Sequence, residues 1–134
     1  MKKVYLYGAG GYGRDLLSIF EKNDALDLIT AIIDNSPGLQ KSVLYGKTIK
    51  SYDEMKADID SESTIIISVV LETALSISKQ LKKDGIIRYI YWAYEKNTPF
   101  NKLIELLHND NSYYIFSHSL QQELTKNKVL EFIY

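Results

Sequence analysis

The sequence predicts an α/β fold: a parallel sheet of about five strands, ordered 3-2-1-4-5, flanked by helices and followed by a helical C-terminal tail. Three observations predict it. Up to residue 93, short apolar runs alternate with amphipathic ones, the pattern of a parallel sheet with crossover helices. The apolar runs are nearly continuous rather than alternating, as strands buried on both faces require. A glycine-rich turn, GAGGYG at 8–13, joins the first apolar run to the first amphipathic one.

Each element follows from its own residues. VYLY at 4–7 is short, apolar and followed by glycine, so it reads as a buried strand. Residues 12–22 carry Tyr12, Leu16, Ile19 and Phe20 at helical spacing. LITAIID at 28–34 is the second strand and ends on Asp34. Residues 35–46, with Pro37, Gly38 and Gly46, read as a loop. A short strand follows at 47–50, then a brief helix that Ser51 and Glu54 start as a capping box. STIIISVV at 63–70 is rich in β-branched residues and reads as the fourth strand. A helix covers about 72–84, stopped by Gly85. IRYIYWA at 87–93 is the fifth strand. Beyond it, Thr98 and Pro99 start a helix in TPFNKLIELLH. SYYIF is open between strand and loop. The final SLQQELTKNKVLEFIY reads as helix, with Ser119 and Gln122 as a capping pair. Residues 1–96 are thus expected to form the Rossmann-like sheet domain, and 97–134 a mainly helical extension packed on it or on a partner chain.

Composition narrows the classes of function. The 134 residues fit one domain with a real core. A net charge of −1 gives no electrostatic reason to expect nucleic acid or an anionic membrane as partner. The absence of cysteine excludes disulfides, thiolate catalysis and zinc–thiolate sites, and it suits a reducing cytoplasm. No stretch reaches the roughly 18–20 apolar residues of a membrane span. The first apolar run is broken by glycine after four residues, too short for a signal peptide. No metal site is expected.

Gly8, Gly10 and Gly13 form G-x-G-x-x-G between a strand and a helix, and Asp34 ends the next strand 21 residues after Gly13. Together these are the features of a dinucleotide-binding turn. Gly8 permits the turn, Gly10 lets the backbone approach a pyrophosphate, and Gly13 lets the helix pack against the strand. The first helical amides and the helix dipole then attract the phosphate. Asp34 would accept from ribose hydroxyls and repel a 2′-phosphate, which favours NAD over NADP for a dinucleotide. Arg14 puts a cation in the first helical turn, where a bound anion would offset its repulsion with the dipole. Ser68 lies at the end of the fourth strand, beside the point where the strand order reverses.

Catalytic groups are scarce. His108 and His118 lie in polar surroundings and are expected to be solvated. Tyr52 and Lys56 have the Y-x-x-x-K spacing of short-chain dehydrogenases but follow the third strand, not the fourth, so the match is read as accidental. Only about forty residues follow the fifth strand, little from which to build the substrate half of a dehydrogenase.

The segments VYLYGAGGYGRDLLSIF, AIIDNSPGLQ, YGKTIKSYDEM and STIIISV resemble the N-terminal Rossmann-like domain of bacterial sugar O- and N-acetyltransferases, the sialic acid and bacillosamine group. They are also similar to the Rossmann-like domain of polysaccharide-biosynthesis epimerases and dehydratases. The resemblance covers roughly residues 1–92. It implies a domain that grips the nucleotide of a UDP-sugar through Gly8, Gly10, Gly11, Tyr12, Gly13, Asp34 and Asn35. Tyr12 stands where the family often has histidine. The family's β-helix of hexapeptide repeats, with its catalytic histidine and acetyl-CoA groove, has no counterpart in these residues.

The expected function is a module that binds a nucleotide sugar or NAD in bacterial surface polysaccharide synthesis. Its catalytic partner would be in trans or in a part of the protein outside this chain, and a homo-oligomer formed through the apolar tail is a further expectation. The alternative is a fragment of an NAD-dependent oxidoreductase, epimerase or dehydratase acting on a nucleotide sugar.

Overall fold

The computed structural model describes residues 2–86, 88–92 and 100–108. In chain order the elements are β1 (Val4–Tyr7), α1 (Gly11–Lys22), β2 (Ala31–Ile33), β3 (Val43–Leu44), β4 (Lys47–Lys50), α2 (Tyr52–Met55), β5 (Thr64–Ile67), α3 (Leu71–Lys83), β6 (Tyr89–Tyr91) and α4 (Phe100–Leu107). The sheet runs β3-β4-β2-β1-β5-β6. All pairings are parallel except β3 with β4. Without β3 this is the expected 3-2-1-4-5 order. The order reverses between β1 and β5, which pair from Val4 with Thr64 to Tyr7 with Ile67.

Strands β1, β2 and β6, and β5 after Thr64, are apolar at every position because each face has its own cover. Val4, Leu6, Ile32, Ile66 and Ile90 pack with Leu16, Leu17 and Phe20 of α1 and Leu103 of α4. Tyr5, Tyr7, Ile33, Ile65, Ile67, Tyr89 and Tyr91 pack with α3 and with Tyr52 and Met55 of α2. Complete burial of one such side chain stabilises by about 1.5–3 kcal/mol, so the two layers hold the sheet from both sides. Five of the eleven tyrosines lie in the second layer. There Tyr5, Tyr7, Tyr52 and Tyr91 each donate a hydrogen bond from the phenol, as buried tyrosines must.

The local signals work as chemistry predicts. Ser51 Oγ accepts from the Glu54 amide at 3.2 Å and Glu54 Oε1 accepts from the Ser51 amide at 3.3 Å, a reciprocal cap that starts α2. Gly85 follows α3 with φ +78°, the left-handed stop. The second strand is shorter than expected, since Leu26–Leu28 turn as a single 3-10 segment first. The loop at 35–46 holds an unexpected hairpin strand, β3. Its turn is Tyr45 and Gly46, both at positive φ, the geometry of a tight two-residue hairpin. On the face of α1, the Phe100 ring meets Phe20 edge-on at 4.9 Å, so α4 shares that core. Thr98, Pro99, SYYIF, His118 and the Ser119–Gln122 pair lie outside the described residues. No described helix is long and apolar enough to cross a membrane.

Candidate functional site

The glycine turn sits at the carboxyl end of β1, at the centre of the sheet. The Gly8 amide donates to the Ile33 carbonyl of β2 at 2.8 Å, and the Ser68 amide donates to the Tyr7 carbonyl at 3.0 Å. These bonds fix the loop between its two neighbouring strands. Gly8 has φ +126°, which L side chains rarely adopt, and a Cβ there would meet the Ser68 carbonyl and Val69 Cγ1. A Cβ on Gly13 would collide with the Gly8 carbonyl. Helix α1 therefore starts in direct backbone contact with the turn that precedes it.

Gly10 and Gly11 differ from that pair. A Cβ on either would meet nothing within 4 Å. Gly10 is the N-cap of α1, and no side chain caps it. The first intrahelical bond runs from the Arg14 amide to the Gly10 carbonyl at 2.9 Å. The amides of Gly11, Tyr12 and Gly13 thus have no partner within the helix. No acid stands in the first turn. Among the described residues, the positive end of this twelve-residue helix has neither a side-chain cap nor a first-turn carboxylate on it.

That end borders a cleft of about 330 Å³, within the range of small-molecule sites. One wall is Gly10, Tyr12 and the loop from Asp34 to Leu39; the other is Val69 and Val70, which lead into α3, with Thr73 and Ile77 in its first two turns. Tyr7, Gly8 and Ser68 also line it. Of the three large hydrophobic residues most exposed among those described, two border this cleft, Tyr12 and Val70.

Asp34 faces the turn. Its Oδ2 accepts from the Ala9 amide at 2.8 Å and its Oδ1 accepts from the Ser36 amide at 2.8 Å. Each carboxylate oxygen has a second acceptor site left. Asn35 borders the cleft, but its side chain already works for the fold. Its Nδ2 donates to Tyr7 Oη at 3.1 Å, and its Oδ1 accepts from the Tyr52 amide at 2.8 Å. Arg14 is exposed and donates from Nε to the Ala9 carbonyl at 3.2 Å, so it lies against the turn. Ser68 is 1% exposed, and its Oγ has no hydrogen-bond partner.

The structure thus gathers Gly8, Gly10, Tyr12, Asp34, Asn35 and Ser68 around one cavity, with Gly11, Gly13 and Arg14 in the first turn of α1. Sequence reasoning did not anticipate Leu39, Val70, Thr73 and Ile77 as walls. Leu39 depends on how the loop after β2 folds back, and the other three on which face of the sheet α3 covers; a periodic pattern gives neither.

The Tyr7 phenol at the cleft is a poor acid–base catalyst. Burial pushes the Tyr7 phenol up to about 12, opposed in part by its hydrogen bond from Asn35. It stays protonated at neutral pH. Tyr52 is buried and donates to Asp84 at 2.7 Å, while Lys56 pairs with Asp53 at the surface. Neither lines the cleft. His108 is exposed and lies on α4, with Nδ1 2.8 Å from the Ile104 carbonyl. Among the described residues no group of three His, Asp or Glu could hold a metal ion.

No family model and no curated protein matches the sequence. Solved structures do. A Rex-family repressor, RSP, is similar with a TM-score of 0.59 at 15% identity; the match covers 92% of this chain and 56% of the repressor. UDP-D-quinovosamine 4-dehydrogenase from Vibrio fischeri is similar with a TM-score of 0.51 at 22% identity, covering 78% of this chain and 84% of the dehydrogenase. This chain therefore spans little more than half the repressor's length. Likeness at these identities shows a shared fold, the Rossmann-like α/β sheet.

Proposed function

We propose that this chain is a nucleotide-binding module that holds a UDP-sugar or NAD, with the diphosphate seated on the N-terminus of α1. The observation that carries the reading is the pairing of Gly10 and Gly11, beside which no described residue would meet an added Cβ within 4 Å, with an uncapped helix end at a cleft. A diphosphate has the charge and the acceptor oxygens for such a place. Gly8 and Gly13 build the turn, while Gly10 and Gly11 make room. Tyr12 and Arg14 flank the phosphate, and Asp34 offers its spare acceptor sites to ribose hydroxyls. Asn35 holds the loop that carries Asp34.

The UDP-sugar assignment draws support from the fold likeness to a protein named as a UDP-D-quinovosamine 4-dehydrogenase. With the resemblance of residues 1–92 to sugar-modifying proteins, it favours a role in bacterial surface polysaccharide synthesis. In this reading 97–134 is an extension to the 1–96 module. The alternative, a fragment of an NAD-dependent oxidoreductase, epimerase or dehydratase, draws on the same name. The neutral Tyr7 speaks against it, since its phenol is not poised to move a proton near neutral pH.

Calorimetric titration with UDP, UDP-glucose, NAD and NADH tests the reading. One-to-one binding of UDP and UDP-glucose without NAD supports the sugar module, and binding of NAD supports the dinucleotide form. A folded chain that binds none of the four overturns the proposal.

A further inference from the structure

Residues 10–13 carry one side chain among three glycines, and it is a tyrosine. Tyr12 lines the cleft, is 39% exposed and belongs to neither core layer. Burial in the fold therefore does not account for the ring. Val70, on the opposite wall, is 55% exposed. The sheet gives the ring a direction. Across the order β2, β1, β5, β6, Asp34 follows β2, the glycine turn follows β1 and Val69 lies beyond β5. Tyr91 ends β6, and its phenol donates to the Val69 carbonyl at 2.8 Å. Burial pushes that phenol up to about 12, and the Tyr12 phenol adds to the rise. The Tyr12 side chain thus reaches toward Val69 and Tyr91, on the side of the turn opposite Asp34. A diphosphate on the α1 amides with its pentose at Asp34 sends its other substituent that way, past Tyr12. Glu72 stands in the first turn of α3 and opposes a second anion there.

Resting on the nucleotide-binding reading, we infer that Tyr12 is a specificity-determining residue whose ring receives the uncharged sugar of a nucleoside diphosphate sugar, on the β5–β6 side of the diphosphate. One face of a hexose is built of C–H groups and packs on an aromatic ring, while its hydroxyls stay at the edge in water. The Tyr12 amide serves the phosphate and its ring serves the group beyond. The nucleoside lies on the Asp34 side, so the two ends of the ligand are read by different residues.

The test is Tyr12→Ala and Tyr12→Phe, read by calorimetry with UDP, UDP-glucose, ADP and NAD and by thermal melting without ligand. In Tyr12→Ala the ratio of UDP-glucose affinity to UDP affinity falls about tenfold, the size of one lost ring contact. Tyr12→Phe keeps the wild-type ratio, and both variants melt close to the wild type because the side chain is outside the core. An unchanged ratio in Tyr12→Ala overturns the inference, whether neither affinity changes or both fall equally; the second result would put the ring on the base or the phosphate. A phenylalanine variant as weak as the alanine one would move the contact to the hydroxyl and overturn it, and a much lower midpoint would mark Tyr12 as part of the fold. A fall in the NAD-to-ADP ratio alone, or a wild type that binds NAD and neither UDP ligand, overturns the sugar assignment. A wild type that binds none of the four would remove the nucleotide reading itself, a result distinct from a wild type that binds UDP-glucose and a Tyr12→Ala chain that binds it equally well.

Discussion

A Cβ on Gly13 would run into the carbonyl of Gly8, and one on Gly8 would come within 2.7 Å of Val69 Cγ1, whereas a Cβ on Gly10 or Gly11 would meet nothing within 4 Å. Four glycines in six residues therefore answer two different demands. Gly8 and Gly13 are glycine because the chain touches itself there. Gly10 and Gly11 are glycine although the folded chain has room for more. A glycine that the fold does not require still carries its entropic cost. The difference separates what builds the turn from what the turn is for, within one loop.

The comparison can be broken by single substitutions at different positions. Gly13→Ala is expected to have the largest effect. The new methyl would overlap backbone that cannot move without separating α1 from β1. Stability should fall by at least about 3 kcal/mol, read as a lower urea midpoint. A variant as stable as the wild type would show that the contact with Gly8 is not needed.

Asp34→Asn comes next. One carboxylate serves both the Ala9 and the Ser36 amides. An amide has a single acceptor oxygen, so one of the two N–H groups would face an NH₂ donor. A loss of about 2 kcal/mol is expected, together with weaker nucleotide binding, because Asp34 belongs to both halves of the comparison. Retained stability with lost binding would assign it to the ligand alone.

Gly11→Ala should have the smallest effect and the opposite sign. Gly11 is the first residue of α1, exposed and uncrowded. Alanine there should raise stability by about 0.5–1 kcal/mol, measured by the same urea titration. A fall would mean that the two glycine pairs do not differ as described.

Much of this arrangement is legible in the sequence, and the reasons are physical. Continuous apolar runs such as IRYIY and STIII can be strands only if both faces are covered, and that sets the parallel sheet. Gly8, Gly10 and Gly13 can be named from their spacing, as can the Ser51–Glu54 cap and the Gly85 stop. The hairpin at Val43–Leu44 was hidden because Tyr45 takes positive φ, which a tyrosine seldom announces. The division of labour between Gly8 and Gly10 was legible only in part, since open space and crowding are properties of the folded backbone. The engagement of Asn35 with Tyr7 and Tyr52, and the unpaired hydroxyl of Ser68, depend on how separate elements meet. No local pattern encodes that.

The glycine-turn site stands or falls most directly on the calorimetric isotherm of Gly10→Val with whichever of UDP-glucose or NAD the wild-type chain binds. Valine at this exposed N-cap position should cost about 1 kcal/mol of stability, so the variant stays folded. Its branched side chain fills the space in front of the α1 amides, and affinity should drop about a hundredfold or more, at least about 2.7 kcal/mol. A folded Gly10→Val chain that binds as tightly as the wild type would contradict a diphosphate seat on this helix.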